Sequence, residues 1–106
     1  MLTEISNKII IAITKEKEKV LKEEIQKCLK KVEGNIDIDI NFEDNYPLYF
    51  CGKELEEGVF VRIEVCNRKQ DREKYRKLKE QISEIYIKEL NLTNNRVFIQ
   101  FDDCEE

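Results

Sequence analysis

Hydrophobic and polar positions recur with two different periods along the chain, and the switches between them mark its elements. The β-branched run Lys8 to Ile13 predicts a first strand, with residues 1–7 as an N-terminal extension. Thr14 offers an N-cap, and Glu16 and Glu18 favour the positive end of a helix that follows. Val20, Leu21, Ile25, Cys28, Leu29 and Val32 then recur at helical spacing, with Glu18/Lys22 and Glu23/Lys27 pairs outside, until Gly34 ends the run. From Ile36 the period drops to two: Ile36, Ile38, Ile40 and Phe42 alternate with Asp37, Asp39 and Asn41, a half-buried strand.

The second half repeats this order. Val59, Val61, Ile63 and Val65 alternate with Phe60, Arg62, Glu64 and Cys66. A helix is predicted from about Gln70 to Leu90, with Tyr75, Leu78, Ile82, Ile85 and Tyr86 on one stripe. Asn94 and Asn95 turn the chain into a last strand, Arg96 to Phe101, and an acidic tail occupies residues 102–106. Right-handed crossovers place both helices on the same side of the sheet. The fold class is therefore α/β, a two-layer sandwich of two β-α-β units with both helices on one face of a four-stranded sheet. Residues 1–106 form a single domain. Between the halves lies an irregular stretch of sixteen residues, Glu43 to Gly58, in which Tyr46 to Phe50 predicts a short strand closed by Cys51-Gly52.

Composition narrows the function classes. The 106 residues carry 19 Lys plus Arg against 23 Asp plus Glu, a net charge of −4, so no nucleic-acid partner is expected. The longest apolar run near the N-terminus, Ile9 to Ile13, is too short for a signal-peptide core or a membrane span; the expectation is a cytoplasmic protein with no membrane partner. There is no histidine, which removes imidazole acid–base chemistry and histidine metal ligation. Cys28, Cys51, Cys66 and Cys104 contain no CxxC pair for zinc or redox exchange; Cys28 reads as a core residue and Cys51 as an exposed one. No metal or cofactor is expected.

One constellation could carry chemistry. If the helices cover the isoleucine and valine face, then Asp37, Asp39, Arg62 and Glu64 project from the other side. Paired carboxylates there would serve as acid and base or bind a hard cation; the alternative is a salt-bridged sheet face. Ile10, Ala12, Phe60 and Phe98 would also lie on that uncovered side, and an oligomer would cover them. Two architectures share this element order, the ferredoxin-like sandwich and the trimeric tautomerase fold, and periodicity does not separate them.

The stretch Gly58-Val-Phe-Val-Arg-Ile-Glu-Val-Cys-Asn-Arg-Lys-Gln-Asp71, an amphipathic helix, and then Asn95-Arg-Val-Phe-Ile-Gln-Phe-Asp102 resemble the tautomerase superfamily. The similarity is to its macrophage migration inhibitory factor and carboxymethyl-hydroxymuconate isomerase branches. Phe50 to Glu57 also resembles the turn before that strand, and the pattern spans about residues 8–102. The resemblance implies a homotrimer with a pocket for a small carboxylate or keto acid between subunits. It also implies keto-enol isomerisation by an N-terminal proline, which this sequence lacks: residue 2 is Leu, and Pro47 is the single proline. Any isomerase activity would then be weak or altered, and no catalytic residue is assigned. Aligning the helices puts Ser6, Asn7 or Lys8 near the missing proline, and only Lys8 has a basic nitrogen. Asn67 and Arg68 match the turn that holds the carboxylate in the resembling enzymes, followed by Gln70, so the expected binding residues are Arg68, Asn67 and Lys8. The other reading is a non-catalytic oligomeric interaction module, of the ferredoxin-like or the tautomerase fold.

Overall fold

The first strand begins earlier in the chain than its isoleucine run suggests. The computed structural model describes residues 2–34, 38–66 and 72–103. In it β1 spans Leu2–Ile9, so residues 2–7 are not an extension but most of a central strand. Two features hide this strand. A register shift between Leu2 and Glu4 places Leu2 and Ile5 on one face although they are three residues apart, and the next inward position is a polar one, Asn7. The run Ile10 to Ile13 is a connection. Ile10 N–H donates to Gly58 O at 3.1 Å, Ile13 N–H donates to the Asp44 carboxylate at 2.9 Å, and Ile11 and Ala12 are exposed.

Helix α1 (Lys15–Glu33) starts as its sequence requires, with Thr14 Oγ1 accepting from Lys17 N–H at 3.0 Å. It ends at Gly34, whose N–H reaches Lys30 O with φ +81°. Leu21, Ile25, Cys28 and Leu29 are buried on its inner face, whereas Val20 falls off the stripe and is exposed. Strand β2 (Asp39–Glu43) follows; Ile36 and Asp37 lie outside the described residues. The long connection does contain a strand pair, β3 (Tyr49–Phe50) with β4 (Lys53–Glu54). Its two turn residues, Cys51 and Gly52, both have positive φ, +52° and +78°, the geometry of tight two-residue hairpins.

Strand β5 (Val59–Val65) occurs where its alternation predicts. Helix α2 (Arg72–Leu90) buries Tyr75, Leu78, Ile82 and Tyr86, and a 3-10 turn at Asn94–Arg96 leads into β6 (Val97–Asp103). The sheet order is β2-β1-β5-β6, with β1 parallel to β2, β5 parallel to β6, and β1 antiparallel to β5. Each β-α-β unit thus keeps its two strands adjacent, unlike the split units of a ferredoxin-like sheet. Both helices cover one face. There Ile5, Ile9, Val59, Val61, Ile63, Leu21, Ile25, Leu78, Ile82 and Tyr86 are fully buried, flanked by Ile40, Phe42, Ile99 and Phe101 from the outer strands.

One polar pair crosses this core. Tyr86 Oη donates to Asn7 Oδ1 at 2.5 Å, and Asn7 Nδ2 donates to Asn41 O at 2.9 Å, which ties α2 to β1 and β1 to β2. Burial pushes the Tyr86 phenol far above its ordinary value, so it stays a neutral donor. Among the described residues every buried side-chain nitrogen and oxygen has a partner.

Candidate functional site

Among the described residues the face of the sheet away from the helices is covered at one end only, where Tyr46 and Phe50 of the long connection reach it, and the pleat fixes what it presents. The register aligns Glu4 with Asp39 and Glu64, Ser6 with Asn41 and Arg62, and Lys8 with Glu43 and Phe60. It continues from Arg62 to Gln100 and from Glu64 to Asp102. Arg62 Nε donates to the Asp102 carboxylate, and Arg62 Nη2 lies 3.6 Å from Glu64. Gln100 Nε2 donates to Asp102 at 2.7 Å, and Thr3 Oγ1 to Glu64 at 2.8 Å. The Arg62 hydrogen bond holds the Asp102 carboxyl below the usual carboxylate range, so it is a poor proton donor at neutral pH. Of the proposed constellation, Arg62 and Glu64 form a salt-bridged face, Asp39 sits two strands away, and Asp37 lies outside the described residues. No group of three or more Asp, Glu or Cys suited to a metal ion occurs among the described residues.

Lys8 occupies the other end of this face. Its ammonium is 2.5 Å from Glu43 and 5.0 Å from the centre of the Tyr46 ring, and the Glu43 hydrogen bond pushes it above its ordinary pKa. It is therefore a fixed cation and not a base. Lys8 pairs with Phe60, six residues from Cys66, or ~20 Å of extended chain. Asn67, Arg68 and Gln70 lie outside the described residues. Strand β1 begins at Leu2, and along it Ser6 and Lys8 lie on the open face while Asn7 is interior.

Aromatic residues gather at the Lys8 end. Phe60 and Phe98 are cross-strand partners, and Phe50 of the hairpin stacks on Phe98 with centroids 6.2 Å apart. Phe50 remains 58% exposed and Tyr49 66%, two large side chains that the chain's own fold leaves in solvent.

At the opposite end, where β1 starts, a polar cluster joins the helices. The Glu33 side chain, 8% exposed, accepts from Tyr75 Oη at 2.7 Å and pairs with Lys74 Nζ at 3.0 Å, while Phe101 meets the Tyr75 ring edge-on. Burial acts to raise the Glu33 pKa, but the Tyr75 and Lys74 hydrogen bonds and the Lys74 charge outweigh it and hold the carboxyl below its ordinary value. The stability this contributes is present above the unfolded value, about 4.3, and is lost as pH falls through the folded one. Glu33→Gln should cost about 1–2 kcal/mol at neutral pH and progressively less below that value. Urea unfolding of both proteins at pH 7 and pH 3 checks it, and a gap that does not narrow would contradict the assignment.

The helical sequence stripe identified Tyr75 as apolar and gave no sign of its hydroxyl's partner, 42 residues away. Between the helices on their outer side runs an open groove of about 580 Å³, bordered by Lys27, Lys31, Gln81 and Lys88. Cys28 at its floor donates to Gln81 Oε1 at 2.8 Å, and burial pushes its thiol up to about 11, so it packs as a core residue and is not a reactive thiolate. Cys51 is an exposed free thiol, but Cys66 is disulfide-bonded, which the absence of a CxxC pair did not anticipate. Among the described residues no helix is long and apolar enough to cross a membrane.

No family model matches the chain, and no curated protein matches it by sequence. Solved structures do match. MIF2 of Leishmania major superposes with a TM-score of 0.84 at 15% identity, over 98% of this chain and 91% of that one. A macrophage migration inhibitory factor homologue from Prochlorococcus marinus gives 0.78 at 17%, over 95% and 88%. A fused 4-OT described as a symmetric trimer gives 0.81 at 10%, over 95% and 85%. The chain shares the fold of these macrophage migration inhibitory factor and 4-OT structures, and the ferredoxin-like alternative is not favoured.

Proposed function

We propose that this chain, built on the tautomerase fold, assembles as a homotrimer and binds a small carboxylate or keto acid beside the start of β1, with weak or altered isomerase activity. The observation that carries the reading is the open sheet face with its aromatic end. Half-buried Phe60 and Phe98 on this face, and Tyr49 and Phe50 held in solvent beside them, support a surface that a neighbouring subunit covers. The 4-OT structure of the same fold is a symmetric trimer, which supports the same assembly here. Arg68 is the proposed anion anchor, through a bidentate pair with the carboxylate, and Asn67 a second donor. Lys8, held by Glu43, is left out of the ligand set. On the resemblance to enzymes that use an N-terminal proline, a chain whose single proline is Pro47 is expected to transfer protons slowly.

Two measurements separate the parts of this reading. Sedimentation should give a species about three times the 12.7 kDa chain mass; a monomer at micromolar concentration would remove the assembly. Titration with phenylpyruvate, followed by calorimetry and by a tautomerase assay, should show binding that Arg68→Ala weakens by about ten- to a hundredfold. Unchanged affinity in that variant, or no binding by the wild type, would sink the ligand assignment.

A further inference from the structure

The two helices carry the opposite charge balance from the rest of the chain. Together α1 and α2 hold thirteen basic residues against nine acidic, whereas the remaining residues hold six against fourteen. The excess gathers at one end. Where the last turns of α1 meet the first turns of α2, residues 27–33 and 72–80 carry eight basic residues against three acidic. Two of those three acids are already engaged, Glu33 by Lys74 and Glu73 by Arg76. Lys30 and Lys31, both exposed, have no ion-pair partner among the described residues. Both border the open groove of about 580 Å³ between the helices, large enough for a short peptide segment.

The groove floor is preorganised. Cys28, buried there, keeps its proton and donates to Gln81 Oε1 at 2.8 Å. That contact fixes the Gln81 amide, and its Nε2 group has no hydrogen-bond partner among the described residues. Ile85, one turn further along α2, is half-buried and supplies an apolar wall. A fixed amide donor beside two unpaired ammonium groups and an apolar wall suits a carboxylate next to an apolar side chain. We propose that this groove docks a short acidic segment of a partner protein, with a carboxylate at Lys30, Lys31 and Gln81 and an apolar side chain against Ile85. Along α1 the groove runs from Glu24 to Lys31, ~10 Å of helix, the length of about three extended residues. Glu84 and Glu89 border its other half, which would repel a continuous polyanion such as nucleic acid, whereas a peptide can end its acidic run before them. A bilayer would need apolar side chains to insert, and among the described residues none of the large exposed ones, such as Val20 or Tyr49, borders the groove. The groove lies on the helix side of the molecule, away from the open sheet face, so its occupancy does not depend on assembly.

A fluorescent peptide of about eight alternating Asp and Leu residues should bind the full chain with a Kd of about 10–100 µM by anisotropy. A peptide of equal charge with Gly in place of Leu should bind about tenfold more weakly, because it leaves Ile85 uncovered. Lys30→Glu/Lys31→Glu changes two exposed positions, retains the fold and should weaken the Asp/Leu peptide by about tenfold or more. In the wild type the side-chain amide resonance of Gln81 should shift as the peptide is added. No binding, equal binding of the two peptides, unchanged affinity in the double variant, or a stationary Gln81 amide would each overturn the proposal. So would release of the peptide by vesicles rich in phosphatidylserine, which would make the basic helix face a membrane surface instead.

Discussion

Asn7→Ala is expected to destabilise the fold by about 2–5 kcal/mol, a large share of the 5–15 kcal/mol that holds a domain of this size together. Asn7 is fully buried on the helix face of β1, between Ile5 and Ile9, and its amide faces two elements at once. Its removal leaves the Tyr86 hydroxyl, itself fully buried, without its acceptor, and takes one donor from the Asn41 carbonyl. A buried polar atom left unpaired costs the full desolvation of that group, and the lost side-chain volume adds a cavity. Tyr86→Phe strands only the Asn7 oxygen and should cost less, about 1–3 kcal/mol. In the double variant Asn7→Leu/Tyr86→Phe both ends of the bond become apolar, so the loss should be smaller than the sum of the two single losses. Urea unfolding of the four proteins measures this. Additive single effects, or a loss under about 0.5 kcal/mol for Asn7→Ala, would show that the pair is incidental.

The second large effect belongs to Gly58. Its φ is +149°, and a Cβ there would lie 3.0 Å from the Arg96 carbonyl oxygen and 3.3 Å from Ile10 Cδ1. The Ile10 side chain can yield. The Arg96 carbonyl cannot move freely, because Arg96 is followed at once by β6, whose first residue pairs with Val59. Gly58 O is also the acceptor for Ile10 N–H, so the residue is pinned from two sides. Gly58→Ala should therefore lose about 2–4 kcal/mol, the sum of backbone strain and overpacking. Gly34→Ala is the control. Gly34 has φ +81° but nothing within 4 Å of a built Cβ, so it should pay only the conformational cost of about 1 kcal/mol. Equal losses at the two glycines would mean that the close approach to Arg96 plays no part.

Much of the architecture was legible because its signals are local. Thr14, Gly34 and the apolar stripe define α1 within the helix itself, and the strict alternation of Val59 to Val65 defines β5. Strand β1 was not legible because its pattern is broken by a bulge against β5, at Leu2 with Val65 and Glu4 with Glu64, and by a polar core residue, Asn7, whose partners are 34 and 79 residues away. The isoleucine run after it is the stronger propensity signal, yet it forms the connection, since Gly58 and Asp44 claim its backbone N–H groups. At the candidate site, Arg62 and Glu64 could be placed on the open face from alternation alone. That Asp102 completes their network depends on the parallel register of β6. Lys8 was legible as a cation, but its fixed partner Glu43 follows only once β1 is known to start at Leu2, because that start sets the register with β2.

The antiparallel pairing of β1 with β5 has a consequence for how the chain is made. Each β-α-β half closes its own parallel pair through its own helix, whereas β1 and β5 join residues between 50 and 63 positions apart, Ile9 with Val59 and Leu2 with Val65. Until that join closes, each half presents the strand that will be its most buried as an open edge. The connection from Glu43 to Gly58 is long enough to act as a hinge at that stage. The failure to which this topology is exposed is thus an exchange of halves, with the second unit of one copy completing the sheet of another.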